Sequence, residues 1–200
     1  AMIVGDMPFG SYQPNTSIAV ENAIRLIKAG CDAVKLEGGV EVADKVRAIV
    51  EAGVPVMGHI GLKPQTSSLW EGYRLQGKTV KATSRLFDDA KALESAGAFS
   101  IVLEMVASEA AERITKRISV PTIGIGSGAG CDGQVLVLHD LLGIYEDIKP
   151  RFVRRYAELA KPILDAVASY TQDVKAGKFP ADLNTFHMDP AEVAKMGRKK

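Results

Sequence analysis

Net charge is almost absent from this sequence: 25 Lys and Arg against 24 Asp and Glu in 200 residues leave a formal +1. A chain so balanced gives no electrostatic basis for expecting nucleic acid or an anionic membrane as partner. The basic residues are spread out, apart from Arg198-Lys199-Lys200, which reads as a solvated tail. No run of about 18 apolar residues occurs, so no membrane-spanning helix is expected. Cysteine is scarce as well. Cys31 and Cys131 form neither a metal-ligand spacing nor a disulfide framework, and there is no Cys/His zinc pattern and no Ser-His-Asp arrangement. No charged-then-apolar leader opens these residues, and without an export signal a reducing cytoplasm is the expected compartment. What remains, 46% hydrophobic and 24% charged residues, describes a globular chain long enough for one domain with a sizeable core.

What is present is a repeat of one pattern: amphipathic helix, glycine stop, short apolar strand, polar residue at the strand exit. Ala29-Gly30, Ala52-Gly53 and Ala96-Gly97 punctuate three copies. Strands are expected near Met2, Ala33, Val54, Phe99, Pro121 and Gln134, the last running to Leu138. The helices between them carry apolar faces at Ala19, Ala23 and Leu26, at Val46 and Ile49, at Leu86, Ala90 and Leu93, and at Ala111 and Ile114, with Thr16 or Ser17 and Ser108 as candidate caps. Alternating strands and helices call for an α/β fold with parallel strands. Polar residues at nearly every strand exit favour a (β/α)8 TIM barrel over a doubly wound sheet, because a barrel draws its site from many strands. Such a barrel needs about eight units, so the first two are expected to precede these residues. The stretch from Leu62 to about Thr79, with Trp70 and Tyr73, reads as a lid or binding loop. Residues 1–200 are expected to form a single, N-terminally incomplete barrel domain, with 151–200 as its C-terminal helical extension. There Phe152–Tyr170 reads as a helix that Pro162 kinks or splits, and Asp189-Pro190 starts a last short one.

The strand at Ala33–Gly39 organises the rest. Alternation puts Lys35 and Glu37 on one face and Val34 and Leu36 on the other. On a parallel barrel, Asp6, Lys35, Glu37, His59, Glu104 and the glycine-rich Gly124–Gly130 all converge on one mouth. Carboxylates with a lysine and a histidine suit a hard divalent cation such as Mg2+ and an anionic substrate, and a spare carboxylate can serve as a base. This combination points to enolate chemistry. Each residue also has a plainer reading. Asp6 can shape its turn, and His59 can be a hydrogen-bonded structural histidine. Gly126–Gly130 can cradle a phosphate or simply allow close backbone approach. His139 and His187 read as structural.

Six linked motifs go further. Gly5-Asp6-Met7-Pro8-Phe9-Gly10-Ser11-Tyr12, Val34–Gly39, Gly58-His59-Ile60-Gly61-Leu62 with Pro64-Gln65, Gly72-Tyr73 with Gln76-Gly77, Leu103-Glu104, and Ile123–Gly126 through Asp132-Gly133-Gln134 closely resemble the ketopantoate hydroxymethyltransferase family, in order and spacing, from residue 1 to about 190. The resemblance implies a cytoplasmic, homo-oligomeric (β/α)8 barrel. It implies transfer of a one-carbon unit from 5,10-methylenetetrahydrofolate to 3-methyl-2-oxobutanoate, giving 2-dehydropantoate on the route to pantothenate and coenzyme A. It also implies Asp6 as a Mg2+ ligand, Glu37 as support for the metal through its water shell, Asp6, Lys35 and His59 at the substrate, and Glu104 as the base that takes the C3 proton. The family's second aspartate ligand, in a Gly-Asp-Ser-Leu-Gly motif, is expected upstream of these residues, and Lys63 stands where threonine is usual. Two rivals are a Mg2+-dependent carbon–carbon lyase of an oxoacid and a non-catalytic barrel remnant. The first would need no folate, and the second would have no need of Lys35, Glu37, His59 and Glu104 together.

Overall fold

The computed structural model describes residues 1–66 and 74–196. Trp70, Gly72, Tyr73 and the Arg198–Lys200 tail lie outside the described residues. Two compact units are present, Ala1–Leu136 and Val137–Lys200.

The first unit is built on six short strands: β1 (Val4–Asp6), β2 (Ala33–Glu37), β3 (Val56–Gly61), β4 (Ser100–Glu104), β5 (Thr122–Ile125) and β6 (Gly133–Gln134). All neighbouring pairs are parallel and the spatial order is β1-β2-β3-β4-β5-β6. Each of the first four crossovers carries a helix: α1 (Thr16–Lys28), α2 (Ala43–Glu51), α3 (Val80–Ser95) and α4 (Ser108–Thr115). A doubly wound sheet reverses strand order at a switch point. This sheet never reverses, so the sequential, barrel-like winding holds. What is observed is a curled half-barrel of six strands; an eight-stranded closed barrel is not.

The core lies between the sheet and the helices. Val34, Leu36, Val56, Ile60, Ile101 and Leu103 point outward from the strands and are buried against Ala19, Ala23, Val46, Ile49, Leu86, Ala90, Leu93 and Ile114 from the helices. Burying a side chain of this size is worth about 1.5–3 kcal/mol, so this layer holds the sheet in place. The other sheet face is left for the polar set. Register sets Asp6 beside Lys35, Glu37 beside His59, and Gly61 beside Glu104. Residues two apart on a strand share a face, so all five ionisable side chains lie on the face away from the helices.

The caps differ from expectation at two helices. Asn15 rather than Thr16 or Ser17 caps α1, its side chain accepting from the Ile18 amide at 2.9 Å. At α4, Ser108 is the first helical residue and Ala107 occupies the cap without a side-chain bond.

The second unit contains α5 (Leu138–Leu141), α6 (Ala160–Lys175) and α7 (Pro190–Met196). The expected strand Gln134–Leu138 shrinks to Gly133–Gln134, and α5 starts where it was to end. Helix α6 likewise begins at Ala160, not Phe152, and Pro162 sits in its first turn. There the missing amide costs nothing, so the proline marks a helix start rather than a kink. Pro190 opens α7, as expected. No helix among the described residues is long and apolar enough to cross a membrane.

Candidate active site

Four strand exits meet in one chain of polar contacts. At the end of β1, Asp6 Oδ1 lies 2.8 Å from Lys35 Nζ on β2. Lys35 Nζ is 3.3 Å from His59 Nδ1 on β3, and His59 Nε2 is 3.2 Å from Glu104 Oε2 on β4. The order of contacts follows the order of the strands. An ammonium group has only donors, so Nδ1 must accept from Lys35 and the ring proton is assigned to Nε2, facing Glu104. The side chains grade from open to closed: Asp6 is 59% exposed, Lys35 18% and Glu104 16%, while His59 is buried. Although Nε2 and Oε2 are close, their alignment falls short of a hydrogen bond, which leaves Nε2 a buried donor without a formed partner among the described residues. Such a donor carries a desolvation cost until an acceptor arrives.

Glu37, 5% exposed, sits beside this chain and is held from three directions. Its Oε2 accepts from the Gln65 amide at 3.1 Å, and the Gln65 side chain in turn donates to the Met7 carbonyl at 3.0 Å. Its backbone is gripped by buried Tyr12, whose hydroxyl accepts from the Glu37 amide at 3.2 Å and donates to the Glu37 carbonyl at 3.1 Å. β1 is too short to reach these groups, so the tyrosine stands in for a neighbouring strand. Burial pushes the Glu37 carboxyl above the usual carboxylate range. His59, the Gln65 amide and Lys35 pull it back down, while Glu104 adds to the rise. Burial likewise raises the Tyr12 phenol, which keeps its proton for this double role.

Glycine matters most at Gly61. It has φ +96, and a Cβ there would lie 2.2 Å from the Glu104 carbonyl oxygen. Without a side chain the β3 exit can close on Glu104, and Leu62 donates to that carbonyl at 2.8 Å. In the glycine-rich loop after β5, a Cβ on Gly128 would lie 2.6 Å from the Ser108 side chain. Close packing on α4 therefore accounts for this glycine without a phosphate. Within the second unit, His187 pairs with Asp182 at 2.8 Å, both side chains exposed, and His139 is exposed as well.

Three carboxylates (Asp6, Glu37, Glu104) face one lysine and one imidazole, so the mouth carries surplus negative charge. The donors are hard oxygens, and Mg2+ is commonly held by one or two carboxylates with the rest of its shell in water and substrate. Asp6 and Glu37 fit that demand. No group of three His, Cys, Asp or Glu side chains able to hold a metal ion occurs among the described residues.

Parallel strands wound in sequence, with carboxylates, a lysine and an imidazole gathered on one face toward their carboxyl ends, place the chain among α/β proteins of barrel-like winding. Comparison with known proteins narrows this. Residues 1–182 match the family described as Ketopantoate hydroxymethyltransferase. Proteins named 3-methyl-2-oxobutanoate hydroxymethyltransferase are similar along nearly the whole chain. One from Cenarchaeum symbiosum (strain A) is 58% identical over 99% of this chain and 76% of its own length; one from Nitrosopumilus maritimus (strain SCM1) is 54% identical over 98% and 70%. A third, from Ignicoccus hospitalis, is 56% identical over 91% of this chain and 69% of its own length. The chain belongs to the ketopantoate hydroxymethyltransferase family of transferases.

Sequence reasoning placed Asp6, Lys35, Glu37, His59 and Glu104 at one mouth, and the structure brings them together there. It missed Tyr12 and Gln65, both inside quoted motifs but with no role attached. Their partners are 25 and 28 residues away, and spacing in sequence carries no sign of that.

Proposed function

We propose that this chain transfers a hydroxymethyl group to 3-methyl-2-oxobutanoate, with 5,10-methylenetetrahydrofolate as one-carbon donor, giving 2-dehydropantoate and tetrahydrofolate. The observation that carries the reading is the contact chain from Asp6 through Lys35 and His59 to Glu104, in a chain of this family. Asp6 would hold a Mg2+ ion directly and Glu37 through its water shell. When bound, the cation supplies Lewis acidity at the keto and carboxylate oxygens of the substrate.

The protein's own groups account for the rest. Lys35 offers positive charge to substrate oxygens, and the unsatisfied Nε2–H of His59 offers a donor in a buried setting where a hydrogen bond counts most. Glu104 takes the C3 proton, the electron pair of that C–H bond passes to the substrate as an enolate, and C3 bonds to the donor's methylene carbon. Both bonds from that carbon to the folate nitrogens break, one nitrogen taking the proton held by Glu104 and the other a proton of water, while the remaining O–H of the water becomes the new hydroxyl. The same reading makes the enzyme a cytoplasmic homo-oligomer. Exposed Ile163, Leu164, Val167 and Tyr170 on α6 support this, since a second copy could cover them.

The test is deuterium exchange at C3 of 3-methyl-2-oxobutanoate, followed by proton NMR in D2O with Mg2+ and no folate. Exchange should require Mg2+ and fall by about 10²–10⁴ in Glu104→Gln, the usual contribution of a positioned base. Exchange that ignores both EDTA and the substitution would remove Glu104 and the metal from the mechanism together.

A further inference from the structure

We infer that Ser127, in the loop after β5, is a positioning residue for Glu104; this rests on the reading of Glu104 as the base. Immediately after Glu104 the chain makes an unusual turn. Met105 has φ +48 and is the one residue other than glycine with positive φ among the described residues. A side chain seldom adopts that backbone conformation unless its surroundings hold it there. Here the surroundings are identifiable. The Ser127 hydroxyl donates to the Leu103 carbonyl at 2.6 Å and accepts from the Val106 amide at 3.0 Å. It therefore ties the residue before Glu104 to the residue after Met105 and closes a bracket around the pair.

The other ties on this turn are made by backbone alone. Leu62 N–H donates to the Glu104 carbonyl at 2.8 Å, Met105 N–H to Ile125 at 2.8 Å, and Gln76 N–H to the Met105 carbonyl at 2.7 Å. Ser127, 1% exposed, is the side chain in the bracket. Without its hydroxyl, the buried Val106 amide loses its partner and the Leu103 carbonyl loses its tie to the loop after β5, and the turn is free to leave its strained conformation. Relaxation at Met105 changes the direction in which the preceding residue projects. Glu104 already approaches His59 Nε2 at 3.2 Å but out of line, so a small change in its aim alters what the carboxylate can reach. Displacements of about 1 Å can cost on the order of 10²-fold in rate.

Ser100 provides the control. It is equally buried, lies at the far end of β4, and makes one side-chain bond to the Pro121 carbonyl at 2.9 Å. The experiment compares parent, Ser127→Ala, Ser100→Ala and Glu104→Gln by C3 exchange across a range of 3-methyl-2-oxobutanoate concentrations, and by the 15N shifts of the His59 ring without substrate. Ser127→Ala should lose at least tenfold in kcat for exchange with KM within about twofold, and should shift the His59 Nε2 resonance; Ser100→Ala should do neither. Parent-like exchange and unmoved ring signals in Ser127→Ala would reduce Ser127 to a structural pin. If Ser127→Ala unfolds, Ser127→Cys, with its weak thiol donor, carries the same comparison and should lose at least threefold; no loss there overturns the inference. If Glu104→Gln exchanges as fast as the parent, the base assignment fails, and the ring shift in Ser127→Ala still decides whether Ser127 orients Glu104.

Discussion

Replacing Tyr12 with Phe removes one oxygen atom and leaves two buried backbone groups of Glu37 without partners. The Tyr12 hydroxyl is the acceptor for the Glu37 amide and the donor to the Glu37 carbonyl. Both residues are nearly inaccessible, Tyr12 at 1% and Glu37 at 5% exposure, so water does not readily replace the lost oxygen. An unpartnered buried polar group costs about 1–3 kcal/mol. Two of them, with the ring itself retained, set the expected loss at roughly 2–6 kcal/mol, a large share of a domain's usual stability of about 5–15 kcal/mol. Urea unfolding of the parent and Tyr12→Phe measures this, and amide exchange at Glu37 should accelerate in the variant. A pH series adds a second check. Burial raises the folded-state phenol above its ordinary value of about 10. The folded protein then holds a proton that the unfolded chain has released. Stability from this group is complete below about pH 10 and declines as pH climbs from there toward the folded-state value. The deficit of Tyr12→Phe should therefore narrow on the alkaline side. A loss under about 0.5 kcal/mol, within the range of an ordinary surface substitution, would mean that Tyr12 does not hold the end of β2.

Glu37→Gln should remove a different pH dependence. Because burial raises the folded-state carboxyl, stability from Glu37 is complete below the ordinary carboxyl value of about 4.3 and falls as pH rises toward the folded-state value. In EDTA, urea midpoints should thus show the variant gaining on the parent as pH increases from about 4.3, and a constant difference would contradict the burial argument. At Met105, φ +48 imposes a left-handed cost of about 1–2 kcal/mol that glycine does not bear. Met105→Gly should accordingly be neutral or stabilising by up to about 1 kcal/mol, whereas Met105→Val should destabilise by more than Met105→Ala; equal unfolding midpoints for all three would show that the turn is not strained.

How much of this was legible depended on the range over which each residue acts. Lys35 and Glu37 could be put on one face because alternation along a strand is local, and the burial of Val34 and Leu36 opposite them bears that out. Sequential winding was legible because polar residues stood at nearly every strand exit, which favoured a barrel over a doubly wound sheet. The Val135–Leu138 run misled because four apolar residues fit a strand or a helix equally well; Val135, Val137 and Leu138 are exposed, and only Gly133–Gln134 pairs with β5. Pro162 was visible, but a missing amide reads as a kink or as a start depending on where the preceding turn lies. The roles of Tyr12, Gln65 and Ser127 were out of reach. Each works by pairing with backbone groups more than 20 residues distant, and a hydroxyl or amide in sequence does not say which groups it will meet.

These three residues also change how the site's order should be understood. The ionisable side chains come from four neighbouring strands, and the register advances them diagonally. Asp6 pairs directly with Lys35, but His59 pairs with Glu37, two residues beyond Lys35, and Glu104 with Gly61, two beyond His59. A diagonal arrangement of this kind requires each strand to stay ordered up to its last residue, where strand pairing is running out. β1 ends before Glu37, and β4 ends in a strained turn. Tyr12 replaces the missing strand at the first place and Ser127 brackets the turn at the second, each with a single hydroxyl that both donates and accepts. On the proposed reading the charged groups supply the chemistry, while neutral hydroxyls at the strand ends hold the backbone at or beside two of the three carboxylates.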